Sequence, residues 1–286
     1  MQAQPSSKHL ASGSDAIATS KAGFIKTLEH NRFAEFCDAC RQYRYIGLCF
    51  GAPGIGKTHS AVKCSRANVI RRLTPWATPI LEPPIDTVLY TPSVVNAPGR
   101  IDMEVRSARE TLRSIQVEPV RVEAREVLAR MRHRHEQWRR ERAEDPTYCG
   151  PKCPPFEPTY FRVIQDYEAR KSAVADPTTL ILIDEADRLG MSSLEQVRSI
   201  FDKSELGLIL IGMPGIEKRM ARLPQFYSRI GFVHEFRPLA AGEIQRLLET
   251  GWVPAGVALP SEPMNAEVLA AIIRMTGGNS ACLIVC

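Results

Sequence analysis

The chain has 286 residues, of which 44% are apolar and 24% charged, with a net charge of +5 and a pI near 8.8. That size holds one large domain, or one domain with a small appendage. The longest apolar runs, Leu180–Ile183 and Leu208–Ile211, fall far short of the ~20 residues a membrane helix needs, and the small, polar N-terminus lacks a signal peptide's apolar core, so a cytoplasmic protein without a membrane partner is expected.

Residues 1–23, rich in Ser, Ala and Gly, predict a flexible tail. A helix follows over roughly Asn31–Tyr43, with Phe33, Phe36 and Cys40 on one side. Its C-x-x-C, Cys37 and Cys40, reads as helix packing, since no βαβ context or second pair supports redox or zinc chemistry. The eight cysteines are otherwise scattered, as reduced thiols of a cytosolic protein would be. Tyr45–Phe50 reads as a buried strand that runs into the glycine-rich Gly51–Thr58, and HSAVKCSRANVI continues as a helix. Thr87–Thr91 is a second strand.

From about Pro92 to Pro177 the composition changes. After EVRSARETLRSI, a long helical pattern begins at Pro119, with Val120, Ala124, Val127, Leu128, Met131 and Trp138 on one stripe and charge opposite. The turn DPTYCGPKCPPFEP ends it, and the whole predicts an inserted helical hairpin or arm. Cys149 and Cys153, with His133 and His135 upstream, are poorly spaced for zinc. Thr179–Asp184 and Leu206–Gly212 are apolar throughout, as central parallel strands covered on both faces should be. Between them SSLEQVRSIFDKS is a helix with Leu194, Val197 and Phe201 inward. Phe232–Phe236 is a fifth strand, and beyond Ala241 the chain turns helical, ending at Asn265–Thr276 with the stop Gly277-Gly278. Strands alternating with helices predict a parallel α/β sheet.

Gly51, Ala52, Pro53, Gly54, Ile55, Gly56, Lys57 and Thr58 spell G-x-x-x-x-G-K-T between a predicted strand and a predicted helix that opens with His59. Glycines let the backbone bend around phosphate oxygens and turn its N–H groups inward. Lys57 then reaches the β- and γ-phosphates of ATP, Thr58 offers its hydroxyl to Mg²⁺, and the helix points its positive end at the anion. Asp184 and Glu185 close an apolar strand, so both carboxylates emerge at the strand's C-terminal edge, where α/β ligands bind. Asp184 is placed to hold the Mg²⁺ water shell and Glu185 to polarise an attacking water.

GAPGIGKT, LILIDEADRL (Leu180–Leu189), LILIGMPGIEKRMARLPQFYSRIGFVHEFRPL (Leu208–Leu239) and AEVLAAIIRMTGGN (Ala266–Asn279) together resemble the AAA+ ATPases, and more narrowly the transposition regulators of the TnsC, TniB, MuB and IstB type. An ABC-type ATPase would carry an LSGGQ-like sequence before Asp184, where ADPTT stands. The resemblance implies an AAA+ nucleotide-binding domain over 24–240, a helical insertion at about 95–176 before the Walker B strand, and a small helical lid over 241–286. It places Arg229 of YSRIG as an arginine finger directed at a neighbouring subunit's γ-phosphate. Gly212-Met213 stands at the sensor position, where a polar residue is common, and Met213 cannot orient a water. The chain reads NSACLIVC where relatives continue into an arginine-bearing helix, with Ala281 at the arginine's place, so a truncated lid and slow ATP hydrolysis are expected. The function implied is an ATP-gated homo-oligomer, a ring or filament, that binds double-stranded DNA and recruits a transposase or other recombination protein. A helicase loader and a nucleotide-gated protein scaffold remain as alternatives. Arg121–Arg142 holds eight arginines against Glu123, Glu126, Glu136 and Glu141, either a phosphate-gripping surface or a solvated helix face with i,i+4 pairs.

Overall fold

The computed structural model describes residues 24, 26–73, 83–145, 147, 149, 156–249 and 266–279. The expected tail over 1–23, all of CGPKC except Cys149, and Ala281 lie outside them. Five strands form one sheet: β1 (Ile46–Phe50), β2 (Thr87–Tyr90), β3 (Leu180–Ile183), β4 (Gly207–Gly212) and β5 (Ile230–Glu235). They run parallel in the order β2-β3-β4-β1-β5. The α/β class is therefore as expected, and the P-loop strand lies between β4 and β5.

The side chains of each inner strand alternate between two cores. On one face Cys49, Leu180, Leu182, Ile209 and Ile211 meet Phe33, Phe36, Cys37 and Cys40 of α1 (Leu28–Tyr43) and Ala61 of α2 (Lys57–Ser65). On the other, Leu48, Ile181, Ile183, Leu208 and Leu210 meet α4 (Pro98–Glu144), α6 (Met191–Asp202), and the short α7 (Ile216–Ala221) and α8 (Pro224–Tyr227). Both cysteines of the C-x-x-C are buried in this packing, and burial pushes their thiols up, Cys40 to about 12.

Three helices differ from expectation. Thr27 caps α1 three residues earlier than predicted, its hydroxyl accepting the His30 N–H at 3.1 Å. The helix after the P-loop does not run unbroken to Ile70: Arg66 turns left-handed at φ 53° and divides α2 from α3 (Ala67–Ile70). Finally, α4 does not begin at Pro119 but passes through it, 47 residues without a break. Its first half is a core helix, burying Ile101, Val105, Leu112 and Val117, so only the second half is an arm.

The arm is braced by α5 (Phe156–Ala173). Arg170 donates to Glu123 at 2.6 Å, and Arg113 donates to the Val174 carbonyl at 2.8 Å and to that of Lys171, closing the end of α5. Val120, Ala124 and Val127 of the predicted stripe face Val163 and Tyr167 across a groove. The larger compact unit spans Lys26–Pro238, and a second begins at Leu239. In the second, α9 (Ala241–Glu249) and α10 (Ala266–Thr276) are tied by the Leu239 N–H donating to the Gly278 carbonyl at 2.9 Å. Among the described residues no helix is long and apolar enough to cross a membrane.

Candidate nucleotide-binding site

The loop leaving β1 is shaped by two left-handed glycines, Gly54 at φ 78° and Gly56 at φ 104°, a region costly for any other residue. Ile55 between them is buried in the α1-side core and pins the loop. At Gly51 a Cβ would stand 2.5 Å from the Phe236 carbonyl oxygen, so the backbone there accepts no side chain. Gly56 leads into α2, whose exposed N-terminal N–H groups make an anion cradle. Lys57 is the first residue of α2 and 9% exposed, its Nζ donating to the carbonyls of Gly51 at 2.5 Å and Ala52 at 2.7 Å. Burial lowers its pKa, opposed by Cys49 and by the carboxylates of Asp184 and Asp187. Thr58 and His59 follow on the exposed side.

The second half of the site lies across β4, at the end of β3. Asp184 is 4% exposed; its N–H donates to the Tyr90 carbonyl at 2.8 Å and its Oδ1 accepts the Glu185 N–H at 3.0 Å. Glu185 sits in left-handed backbone at φ 53°, ψ 42°, which costs about 1–2 kcal/mol in a non-glycine residue and swings the chain sharply off the strand. A hard cation such as Mg²⁺ takes oxygen ligands, and the Thr58 hydroxyl with the Asp184 carboxylate supplies that chemistry. Among the described residues no group of three His, Cys, Asp or Glu side chains is placed to hold a metal ion by itself.

Two residues that sequence reasoning passed over complete the geometry. One turn of 3₁₀ helix, Ala186–Arg188, folds Asp187 back under the tip of β4, where its Oδ2 accepts the Met213 N–H at 2.8 Å. Met213, expected at the sensor position, thus makes its polar contact through its backbone, while its side chain is 39% exposed. Arg188 forms an ion pair with Glu185 and donates through Nη1 to the Pro92 carbonyl at 3.1 Å. Asn96 ties the same loop down, donating to the Arg188 carbonyl at 2.9 Å and accepting from Ser193 Oγ at 2.6 Å. The signal was the spacing in DEADR, where one tight turn returns the fourth and fifth residues toward the strand ends.

Arg229 stands apart from this group. It precedes β5, and its carbonyl accepts the N–H of Ile46 at 3.1 Å, at the start of β1 and not at its P-loop end. The length of β1, Ile46–Phe50, therefore separates it from its own P-loop by about 15 Å. Its guanidinium forks onto Asp202, Nε to Oδ1 at 2.6 Å and Nη2 to Oδ2 at 3.1 Å.

A family model for the AAA domain matches residues 40–220. A potential ATP-binding protein of Staphylococcus aureus is 35% identical over 262 residues, which cover 91% of this chain and 85% of the relative. Among solved structures, the Aeropyrum pernix ORC1 protein in complex with DNA is similar at TM-score 0.45 and 16% identity over 94% of this chain. The Thermotoga maritima RuvB Holliday junction branch migration motor is similar at TM-score 0.42 and 12% identity over 91%. The chain spans 60% of the length of each of these two structures.

Proposed function

The chain belongs to the AAA-domain P-loop ATPases, and on that premise we propose that it is an ATP-dependent DNA-binding regulator of transposition, working as an ATP-gated ring or filament that recruits a transposase or other recombination protein. Binding of ATP rests on the loop Gly51–Thr58 and the carboxylates beyond β3. The gating reading is carried by one observation, the placement of Arg229 at the sheet edge opposite its own P-loop. An arginine there cannot touch the γ-phosphate its own chain holds, and it is exposed enough to serve a neighbour. ATP between subunits then joins them, and hydrolysis separates them. The block Leu208–Leu239, with its YSRIGF follow-on, supports the transposition-regulator assignment within the family.

In the hydrolytic step Lys57 holds the transferring phosphoryl group, Glu185 takes a proton from the attacking water, and a neighbour's Arg229 neutralises charge that develops in flight. Mg²⁺, when bound, draws charge from the phosphate oxygens, with Thr58 and Asp184 as its protein-side oxygens. A second reading, a nucleotide-gated scaffold that scarcely turns over, is favoured by the Arg188 ion pair on Glu185 and by the apolar Met213 side chain. Electron microscopy of the Glu185→Gln variant with ATP and duplex DNA tests the proposal: rings or filaments on DNA are expected. Monodisperse monomers under those conditions overturn it.

A further inference from the structure

The twelve arginines of α4, unaccompanied by any lysine, fall into two sets. Those of the first half have carboxylates: Arg100 pairs with Glu104, Arg106 with Asp102, Arg109 with Asp176, Arg113 with Glu110 and Arg121 with Glu118. Beyond Arg121 the pattern changes. Arg130 keeps a loose contact to Glu126 at 3.9 Å, whereas Arg125, Arg132, Arg134, Arg139 and Arg140 have no carboxylate partner among the described residues. Glu141, which stands near them, is engaged by Gln137 at 3.0 Å, and Arg142 lies over the Trp138 ring at 5.3 Å. All five unpaired arginines are exposed.

We propose that this distal half of α4, Arg125–Arg142, is a phosphate-binding arm for double-stranded DNA, an inference that rests on the DNA-binding reading above. Unpaired exposed guanidinium groups in this number repel one another, and a polyanion removes that cost while giving each a bidentate partner. Helix geometry favours a groove over a flat surface. At 100° per residue Arg132 and Arg139 lie on one side of the helix and Arg134 on the other, so charge flanks the rod on both sides. A helix in the major groove meets a phosphate wall on each side, whereas a membrane surface engages one face only. The span from Arg125 to Arg140 is about 22 Å, long enough to follow several base pairs. The arm is also rigidly mounted, because the same helix continues into the core through Leu112 and Ile101. No base-edge chemistry is needed, so contact without sequence preference is expected.

The test uses the full chain with ATP and a fluorescent duplex of about 30 base pairs, titrated over a series of salt concentrations. The variant carries Arg132→Gln, Arg134→Gln, Arg139→Gln and Arg140→Gln together. Its affinity should fall at least ~10-fold, and the slope of log K against log salt should flatten by about 3. Binding of a fluorescent ATP analogue and helicity by circular dichroism should be unchanged. Equal affinity and slope for variant and wild type overturn the arm while leaving the DNA reading intact. Failure of the wild type to bind duplex at any salt overturns both. If the variant loses phosphatidylserine vesicles but keeps its DNA slope, the arm serves a membrane surface and the proposal is wrong.

Discussion

Replacing Arg229 by Ala separates a role between subunits from a structural one. In the chain itself the substitution removes the fork onto Asp202, a pair in which both side chains are about a third exposed, 32% and 31%. Such a pair contributes at most ~1 kcal/mol after solvent screening. Asp202 is not left alone, because Arg198 holds its Oδ2 at 2.9 Å. The fold should therefore lose little, and urea midpoints of Arg229→Ala and wild type should nearly coincide. Against this, loss of an arginine that stabilises charge on the transferring phosphoryl group lowers turnover about 10³-fold or more, over 4 kcal/mol of barrier. The two magnitudes are far enough apart that stability cannot imitate the catalytic loss. Mixing supplies the decisive arm: Arg229→Ala subunits offer an intact P-loop, and Lys57→Ala subunits offer an intact Arg229. With random neighbours about one interface in four joins the intact halves, so a 1:1 mixture of two inactive proteins should regain about a quarter of wild-type turnover per site. A mixture as inactive as its parents refutes the shared site, and an active Arg229→Ala protein refutes the finger altogether.

Other perturbations report on other joints. Arg188→Ala frees the Glu185 carboxylate from a competing ion pair; because that pair is exposed and worth ~0–1 kcal/mol, steady-state turnover should rise up to about fivefold at unchanged KM for ATP. A fall instead would mean that Arg188 orients Glu185. Gly207→Ala brings a Cβ to 2.6 Å from the Cys40 carbonyl oxygen, forcing α1 off β4 at a cost of about 1–3 kcal/mol, which a urea titration measures; an unchanged midpoint refutes that packing. His30 and His234 both have pKa values lowered from 6.5 by burial, with Lys26 and Lys63 acting in the same direction on His30. On His234, Arg32 and Arg237 lower further and Glu29 opposes. Each binds its proton more weakly folded than unfolded, so the unfolded chain takes up more protons on acidification. Stability should be flat above about pH 7.5 and fall as the pH drops through 6.5, and His30→Gln with His234→Gln should remove that slope.

What the sequence made legible follows burial and local chemistry. Leu180–Ile183 and Leu208–Ile211 read as central strands because both faces of each are covered, and both came out in the middle of the sheet. The left-handed break at Arg66 was not legible: no glycine marks it, and the tertiary contact that accompanies it, Arg66 donating to the Pro83 carbonyl, joins segments far apart in sequence. Pro119 misled in the opposite direction. A proline removes one helical hydrogen bond and crowds the carbonyl four residues earlier, so a boundary there is the local expectation. The helix nevertheless continues, because buried Val117 and Glu118 on one side and the Glu123–Arg170 contact on the other hold both segments on a single axis. The same limit governs charge. Composition counts eight arginines and four glutamates between Arg121 and Arg142, a ratio that fits a solvated face as well as a phosphate grip. Deciding between them requires knowing which guanidinium groups already have carboxylates. That division is positional, the arginines up to Arg121 having carboxylates and most of those beyond it none, and a three-dimensional partition of this kind leaves no trace in the order of the residues.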